Sequence, residues 1–321
     1  MTAYRPFNAR KRVALAGFGT VGRGVYERLI AAPERFEVVG VLCRNPGRHA
    51  EAGGPADLLT DEFQALAPFD LFVEAIGGIS PAKEYLLSAL ARGADVVTAN
   101  KTLVSRRFDL LSKAAAETKT RLLYSAAVGG GVPMLETVEA RASDGKIERI
   151  EAVLNGTTNF VLDRIGAGLD TAEAIRLAQE AGFAEADPTA DIDGIDAAEK
   201  LSLMARRAFG AAIDPDAIQR DRLASVLASD IAKAAAEGRP YKQVASATKT
   251  PDGAFAEVRL LQVPASEPLA QPKLEENCLV ISEEGGARTV LHGKGAGQGP
   301  TADSVLADIN RLVASPVLAR S

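Results

Sequence analysis

The sequence predicts an α/β fold, in which a Rossmann-like, doubly wound parallel sheet is followed by a second α/β domain. Two observations lead to this prediction. First, an apolar run, a Gly-x-Gly-x-x-Gly turn, a helical pattern and a second apolar run occupy residues 13–43, in the order that a dinucleotide-binding βαβ unit requires. Second, strand-like and helix-like segments keep alternating up to residue 126, as expected when helices cover both faces of a parallel sheet.

The composition excludes several classes of protein. The chain has 321 residues, of which 47% are hydrophobic and 25% charged, and it is long enough for two domains with buried cores. Its net charge of −5 argues against a dedicated nucleic-acid binder. With two His and two Cys, neither a structural zinc site nor a histidine-based triad is expected. The chemistry must therefore rest on Lys, Asp, Glu and bound cofactors.

Cysteine usage and hydropathy predict a cytoplasmic protein. Cys43 and Cys278 lie in strand-like apolar runs and are expected to be buried thiols in a reducing compartment. The first residues, MTAYRPFNARKR, lack the apolar stretch of a signal peptide. No run approaches the roughly 18 apolar residues that span a bilayer, so no membrane association is expected.

The glycine-rich turn is the first candidate binding site, and it consists of Gly17, Phe18, Gly19, Thr20, Val21 and Gly22. In such a turn the first glycine makes the tight bend and the second lets the backbone approach a pyrophosphate. The third allows close packing of helix on strand, and the helix N-terminus attracts the anion. The alternative is a glycine-rich turn that binds no ligand.

The end of the second strand indicates which nicotinamide cofactor is preferred. A site that prefers NAD places an acid there to hold the ribose hydroxyls, whereas this chain carries Arg44 and Arg48 and no acid. Guanidinium groups match a 2′-phosphate with two hydrogen bonds. NADP is therefore the expected cofactor, with NAD use still possible, unless both arginines are merely solvated.

Further elements extend the predicted sheet, with strands at 71–75, 95–98 and 122–126 and helices at 81–92 and 108–118. Ligands of such sheets bind beyond the carboxyl ends of the strands. Thr98 ends one of these strands, and Lys101 follows shortly after it. Both are therefore candidates for contact with a cofactor.

The segment Gly129–Pro133 breaks this alternation and marks the predicted exit from the nucleotide-binding domain. We expect that domain to span residues 1–133 and to be completed by a C-terminal helix within 300–321, while residues 134–299 form the second domain. Strands are expected at 254–263, 278–282 and 289–291, and Thr301 can cap the final helix. The polar stretch 246–253 is the segment most like a linker.

The second domain contains two polar segments of interest. The loop Asn155-Gly156-Thr157-Thr158-Asn159 follows an apolar strand and is either functional or an ordinary turn and helix cap. Asp170 opens a helix with a capping box, and an acidic stretch follows: Glu185, Asp187, Asp191, Asp193, Asp196 and Glu199. Its spacing does not fit a calcium loop. Asp196 and Lys200 share a helix face, as a surface ion pair or as a lysine presented to a substrate.

These motifs together resemble homoserine dehydrogenase over roughly residues 12–312. The resemblance rests on six segments in order: GFGTVGRGV, VVTANK, AAVGGGVP, LNGTTNF, AGFAEADPTADIDGIDAAEK and GKGAGQGPTADSVLAD. That family reduces L-aspartate 4-semialdehyde to L-homoserine with a nicotinamide cofactor, on the route to threonine, methionine and isoleucine. The chain is similar to the short form, which has no appended regulatory domain. The resemblance also implies a homodimer, with residues 134–299 supplying substrate binding and dimerisation.

The resemblance implies roles for individual residues. Lys200 matches the lysine assigned as proton donor, and Lys101 matches a second lysine close to the reaction centre. The other matches are grouped here by role: substrate contacts at Glu185, Asp196, Thr157 and Asp191, and cofactor-adjacent backbone at Gly182 and Gly297. These residue types suit a reaction in which hydride moves while an ammonium group donates a proton to the developing alkoxide.

Ser125 departs from the family pattern. Members of the family commonly carry an acid there, in a segment that lines a structural sodium site with main-chain carbonyls matching Val128, Gly130 and Val132. Serine supplies no charged ligand, so the sequence does not decide whether the sodium site is kept. Two alternatives stay open: a paralogous dehydrogenase of a related hydroxy or semialdehyde amino acid, and a catalytically silent NADP-binding regulator.

Overall fold

The computed structural model describes residues 10–295 and 298–314. Two compact units are present: residues 10–127 with 301–314 form the first, and the described residues between 128 and 300 form the second. The sequence places the division at residue 133 instead. The structure assigns Gly129–Val132 to the second unit, where the carbonyl of Gly129 accepts a hydrogen bond from the Val132 amide.

The first unit is built on a parallel sheet in the order β3-β2-β1-β4-β5-β6, as far as the structure is described. Its strands are β1 (Lys11–Ala16), β2 (Phe36–Leu42), β3 (Leu59–Thr60), β4 (Leu71–Glu74), β5 (Asp95–Thr98) and β6 (Leu122–Leu123). The strand order reverses between β1 and β4, which is the switch point at which dinucleotides bind in this architecture. The predicted doubly wound sheet is confirmed.

Helices cover both faces of this sheet. They are α1 (Thr20–Ile30), α2 (Pro46–Glu51), α3 (Ala82–Ala91), α4 (Lys101–Glu117) and a C-terminal helix (Gln298–Ala314). Side chains alternate along β1 because successive residues of a strand face opposite ways. Val13 and Leu15 pack in the core layer that contains α1 and the C-terminal helix, while Ala14 packs in the layer that contains α3 and α4.

Two predicted elements of this unit have different bounds in the structure. The helix expected at 108–118 begins at Lys101 instead, because the Asn100 side chain caps it by accepting a hydrogen bond from the Leu103 amide at 3.0 Å. A kink at Arg107 (φ −132°) interrupts its regular pattern. The strand expected at 122–126 ends at Leu123, and the chain then turns through a short 3₁₀ helix, Ser125–Ala127.

The second unit contains a mainly antiparallel sheet in the order β12-β11-β7-β9-β10-β8. Its strands are β7 (Ile147–Val153), β8 (Gln219–Arg220), β9 (Tyr241–Thr250), β10 (Gly253–Gln262), β11 (Glu276–Glu283) and β12 (Arg288–Lys294). The expectation that residues 246–253 form a linker was wrong. This stretch forms the end of β9 and its hairpin turn into β10, and β9 lies between β7 and β10.

The helices of the second unit are α5 (Met134–Ala142), α6 (Gly156–Gly166), α7 (Thr171–Glu180), α8 (Thr189–Ile192), α9 (Ile195–Phe209) and α10 (Ala228–Ala236). Asp170 caps α7 as predicted, accepting a hydrogen bond from the Glu173 amide at 2.9 Å. Helix α9 packs against β7, β9 and β10. Most of its side chains from Asp196 to Ala205 are buried, which places its polar residues inside the unit.

Two further findings bear on the predicted environment of the chain. Cys43 and Cys278 are buried free thiols, as predicted, and burial raises the pKa of Cys278 to about 11. Within the described residues, no helix combines the length and the apolar character needed to cross a bilayer.

Candidate active site

The glycine-rich turn has the backbone that a bound pyrophosphate needs. Gly17 has a φ of +96°, and a Cβ on it would lie 2.6 Å from the carbonyl oxygen of Ala75. A Cβ on Gly22 would overlap the carbonyl of Gly17. Helix α1 begins after Gly19 with no side-chain cap and no acidic residue in its first turn. Its first amides are thus available to an anion, and these residues fit a dinucleotide.

Phe18 differs from its neighbours in the turn, because its side chain belongs to the core. It is 3% exposed, and its ring makes edge-on contacts with Tyr26 and His49. The guanidinium of Arg23 lies 4.9 Å from the ring centroid. Any contact of Phe18 with a cofactor must therefore come from its main chain, while the ring anchors the turn to α1 and α2.

Arg44 and Arg48 follow β2 at the carboxyl edge of the parallel sheet, and both are exposed. Arg44 lies before α2 and Arg48 within it. Neither guanidinium forms an ion pair with another residue that the structure describes. Both remain available to an anionic ligand.

Thr98 is the last residue of β5, and Lys101 follows it at the same edge of that sheet. Thr98 is fully buried, and its hydroxyl donates to the Glu74 carboxylate at 2.6 Å. Its side chain is therefore committed to the protein. Lys101 is half-buried and is the first residue of α4.

The second unit holds a lysine–carboxylate cluster. Nζ of Lys200 donates to Oδ2 of Asp196 at 2.6 Å and to the carbonyl of Leu154 at 2.8 Å. The side chains of Lys200 and Asp196 are 15% and 10% exposed. An exposed i,i+4 ion pair contributes little to stability, and its side chains are not shielded from solvent in this way. The interpretation as a solvated surface pair is therefore wrong.

Asn155 joins this pair to a second carboxylate. Its Nδ2 donates to Oδ1 of Asp191 at 2.6 Å and to Oδ2 of Asp196 at 2.9 Å. Its Oδ1 caps α6 by accepting from the amide of Thr158 at 2.8 Å and from its hydroxyl at 3.0 Å. The predicted helix cap is thus real, and the same side chain also holds two acids.

Asp191 is held from both its main chain and its side chain. Its carbonyl accepts from Oγ1 of Thr158 at 3.0 Å and from Nε2 of Gln243 at 3.1 Å. Burial raises the pKa of the Asp191 carboxyl, and the nearby charge of Asp196 raises it further, while the hydrogen bond from Asn155 acts in the opposite direction. The cluster therefore contains one carboxyl group, that of Asp191, whose surroundings favour the protonated form.

Of the remaining candidates, Thr157 contacts this cluster and Glu185 makes no described contact with it. Thr157 is buried and donates to the carbonyl of Phe183 at 2.5 Å; it also contacts the Asp191 carboxylate. Glu185 is exposed in the loop between α7 and α8, where its carbonyl accepts from Gln179. Its carboxylate takes no part in the described network. Gly182 lies in the same loop with a φ of +77°, and Gly297 lies outside the described residues.

The segment predicted to line a sodium site carries no charged ligand. Val128, Gly130 and Val132 are buried, and the carbonyl of Val132 already accepts from the amide of Met134 at 2.7 Å. The amide of Ser125 donates to Oδ2 of Asp308 at 2.8 Å. Among the described residues, no group of three or more His, Cys, Asp or Glu side chains is arranged to hold a metal ion.

Glu74 and Gln243 were not singled out from the sequence, and the role of Asn155 in joining two acids was not foreseen. Glu74 left one signal, an acid that ends the apolar strand Leu71–Glu74. Asn155 was noted as a cap, but its two acidic partners are far along the chain. Gln243 lies in β9, which was not predicted as a strand because several of its residues are polar.

Two family models match the chain. The homoserine dehydrogenase model covers residues 133–310, and the model of the homoserine dehydrogenase NAD-binding domain covers residues 17–125. The chain belongs to the homoserine dehydrogenase family. It is therefore an oxidoreductase that acts on a CH–OH group with NAD(P), which confirms the resemblance drawn from the six motifs.

Homoserine dehydrogenases of known sequence match most of the chain. That of Lactococcus lactis subsp. lactis is 36% identical over 315 residues, which are 94% of this chain and 74% of that protein. That of Corynebacterium glutamicum is 34% identical over 314 residues, or 92% of this chain and 70% of that protein.

Solved structures of homoserine dehydrogenases also match. The enzyme from Thiobacillus denitrificans has a TM-score of 0.89 at 30% identity, covering 95% of this chain and 73% of that chain. The S. aureus enzyme has a TM-score of 0.82 at 26% identity, covering 98% and 79%. A hyperthermophilic archaeal homoserine dehydrogenase in complex with NADPH shares the fold, with a TM-score of 0.80 at 24% identity over 97% of this chain and all of that chain.

Proposed function

We propose that this homoserine dehydrogenase interconverts L-homoserine and L-aspartate 4-semialdehyde with NADP as the preferred cofactor and Lys200 as the proton carrier. The observation that carries the proposal is the Asp196–Lys200 pair, whose side chains are 10% and 15% exposed and which Asn155 joins to Asp191. A bound nicotinamide supplies or accepts the hydride. The protein's part is to hold the amino acid and to move one proton at the substrate oxygen.

Lys200 is well placed for proton transfer. An ammonium group has three N–H donors, and Asp196 and Leu154 take two of them. The third is available to the substrate oxygen. In the reducing direction it donates a proton to the developing alkoxide, and in the oxidising direction the neutral amine accepts it back. Lys101, by resemblance, is a second cation near the reaction centre.

The acids recognise the rest of the substrate. We assign the α-ammonium group to Glu185 and Asp191, and the hydroxyl to Asp196 beside Thr157. Asp191 and Asp196 are fixed by Asn155 before substrate arrives, so little orientation entropy is lost at the moment of reaction. Because Glu185 is exposed, this assignment requires its side chain to close onto the substrate.

For the cofactor, we assign the pyrophosphate to the turn Gly17–Gly22, and additional main-chain contacts to Thr98, Gly182 and Gly297. The exposed Arg44 and Arg48 take the 2′-phosphate. No step uses a sodium ion at Ser125–Val132, because that segment supplies no charged ligand.

The arginine assignment is tested by cofactor kinetics. Arg44→Ala is expected to raise KM for NADP about tenfold, because it removes a charge-assisted hydrogen bond, and to leave KM for NAD unchanged. Arg239→Ala, an exposed arginine of the second unit, serves as the control. An unchanged ratio of kcat/KM for NADP and NAD in Arg44→Ala means that the loop after β2 does not read the 2′-phosphate.

The resemblance further supports a homodimer, and the two buried free thiols fit the proposed location in the reducing cytoplasm. Light scattering of the purified protein is expected to give a mass twice the 33.6 kDa of one chain. A mass of one chain at assay concentrations would contradict the dimer without touching the proposed chemistry.

A further inference from the structure

Glu74 is a fully buried carboxylate beside the switch point of the parallel sheet. It is the last residue of β4, the strand that pairs with β1 on one side and β5 on the other, and it is 0% exposed. Burying a carboxylate is costly unless hydrogen bonds satisfy it. Its hydrogen-bond partners therefore indicate which parts of the structure this buried carboxylate holds in place.

These partners lie in the loop after β4 and at the junction between β5 and the loop that follows it. Oε1 of Glu74 accepts from the amides of Ile76 at 2.7 Å and Gly77 at 3.1 Å. Oε2 accepts from the hydroxyl of Thr98 at 2.6 Å, and the main-chain carbonyl of Glu74 accepts from the amide of Ala99 at 3.1 Å. One residue thus ties the loop after β4 to the loop after β5.

The network continues from Thr98 to the start of α4. Oγ1 of Thr98 accepts from the amide of Asn100 at 3.0 Å. Asn100 donates from Nδ2 to the carbonyl of Gly78 at 2.7 Å, and it caps α4 through Leu103. Lys101 is the first residue of that helix. The main-chain position of Lys101 therefore depends on a chain of hydrogen bonds that begins at the buried carboxylate.

The glycine-rich turn is a third loop, and it contacts the segment that follows β4. The amide of Ala75, the residue after Glu74, donates to the carbonyl of Ala16 at 2.8 Å. Gly17 approaches Ala75 so closely that a Cβ on Gly17 would lie 2.6 Å from the Ala75 oxygen. The glycine-rich turn is thus packed directly against the segment that Glu74 orders.

We propose that Glu74 is the positioning residue for the cofactor-facing edge of this enzyme. It sets the loop Ile76–Gly78 and the first turn of α4, and through them the cofactor and Lys101. This inference rests on the proposed placement of the cofactor and on the proposed role of Lys101. Stability alone would be served by an apolar side chain at the end of β4, whereas ordering two loops requires a side chain that accepts from both.

Glu74→Gln tests the inference with almost no change of shape. Its amide oxygen can still accept from Ile76 and Gly77, but its NH₂ group then faces the Thr98 hydroxyl. That hydroxyl already accepts from Asn100 and loses its own acceptor. We expect kcat/KM for homoserine to fall about 100-fold, since small displacements of reacting groups have effects of this size. The Kd for NADPH, measured by its fluorescence, should rise.

Hydrogen exchange separates positioning from general destabilisation. In Glu74→Gln, amides of the loop 76–78 and of residues 100–103 should lose protection together. Leu86→Ala, a buried leucine of α3 outside the network, is the matched control. It should lower Tm while both loops keep their protection and the Kd for NADPH stays at the wild-type value. Loss of protection at both loops in Leu86→Ala would overturn the inference.

Thr98→Val provides a second test that keeps Glu74 itself. We expect it to affect only the part of the network that runs through Thr98. The amides of residues 100–103 should lose protection from hydrogen exchange, while those of Ile76 and Gly77 keep theirs. Wild-type kinetics, Kd and protection in Glu74→Gln would overturn the inference. Lys101→Ala, assayed in parallel, separates the two proposals. Full activity in Lys101→Ala combined with a raised Kd in Glu74→Gln supports the role of Glu74 at the cofactor and removes the role of Lys101.

Discussion

A single amide organises the acidic cluster of this enzyme. Asn155 uses its oxygen to cap α6 and its NH₂ group to hold Asp191 and Asp196. Two carboxylates that share one site repel each other, and a neutral donor between them lowers that repulsion. Lys200 offsets the charge of Asp196 by donating to the same carboxylate oxygen, Oδ2, that accepts from Asn155. The geometry of the cluster therefore depends on a residue that contacts no substrate atom in the proposed reaction.

Substitutions at Asn155 can separate its two tasks. Asn155→Asp retains a good helix cap, but it replaces the donor by a third carboxylate. We expect kcat/KM for homoserine to fall about 100-fold, with a far-ultraviolet circular dichroism spectrum like that of the wild type. Asn155→Ser, which also caps but adds no charge, should lose less activity. Equal activity of both variants and the wild type would show that the cluster needs no amide bridge.

Asp191 links activity to stability through its raised pKa. Burial is the main cause of the shift, and the folded pKa lies above the ordinary value of 3.8. The folded state then binds more protons than the unfolded state, so the contribution of Asp191 to stability is present below pH 3.8 and is lost as pH rises through the folded pKa. The ionised acid is thus kept for function at the expense of stability.

Asp191→Asn tests this trade-off. Its amide oxygen can still accept from Asn155, and no charge is buried. We expect a higher Tm than the wild type at neutral pH, a difference that shrinks toward pH 3, and a KM for homoserine raised at least about tenfold. Thermal unfolding at several pH values, with steady-state kinetics, gives both readouts. A Tm below that of the wild type at neutral pH would contradict the sign of the pKa shift.

At the level of elements, β1, β2, β4 and β5 could be predicted because they are largely apolar runs, whereas the two-residue strand β3 was not expected. Strand β9 could not be predicted, since Lys242, Gln243 and Ser246 are buried polar residues in a segment of low hydropathy. Such residues are tolerated only where partners exist elsewhere in the chain. Nζ of Lys242 finds them in the carboxylate of Asp163 at 3.2 Å and the carbonyl of Pro272 at 2.8 Å.

The buried lysine of β9 leads to an ordering of stabilities. Asp163→Ala leaves the Lys242 charge without its carboxylate, and we expect a loss of about 3 kcal/mol in the free energy of unfolding. Lys242→Met removes the buried charge itself and should cost less, because Asp163 is partly exposed and can be solvated. Urea denaturation measures both. A larger loss in Lys242→Met than in Asp163→Ala would mean that the pair is a net source of stability.

At the level of the whole molecule, motif order predicted the two-part architecture and the family, while individual site contacts were harder to foresee. Local spacing placed Asp196 and Lys200 on one helix face. It could not reveal that Asn155 reaches both Asp191 and Asp196, because that contact depends on how α6, α8 and α9 pack. The position of Glu74 at the switch point likewise follows from sheet order, which brings β4 beside β1.

The central claim is that the partly buried Lys200 carries the proton while homoserine is oxidised. The most direct measurement is kcat for homoserine-dependent NADPH formation at alkaline pH, in the wild type, Lys200→Ala and Lys113→Ala, an exposed lysine of α4. We expect turnover in the wild type and in Lys113→Ala. In Lys200→Ala we expect a loss of about 1,000-fold, within the range for general acid–base catalysis, with NADPH binding intact. An inert wild type, or wild-type turnover in Lys200→Ala, would contradict the account.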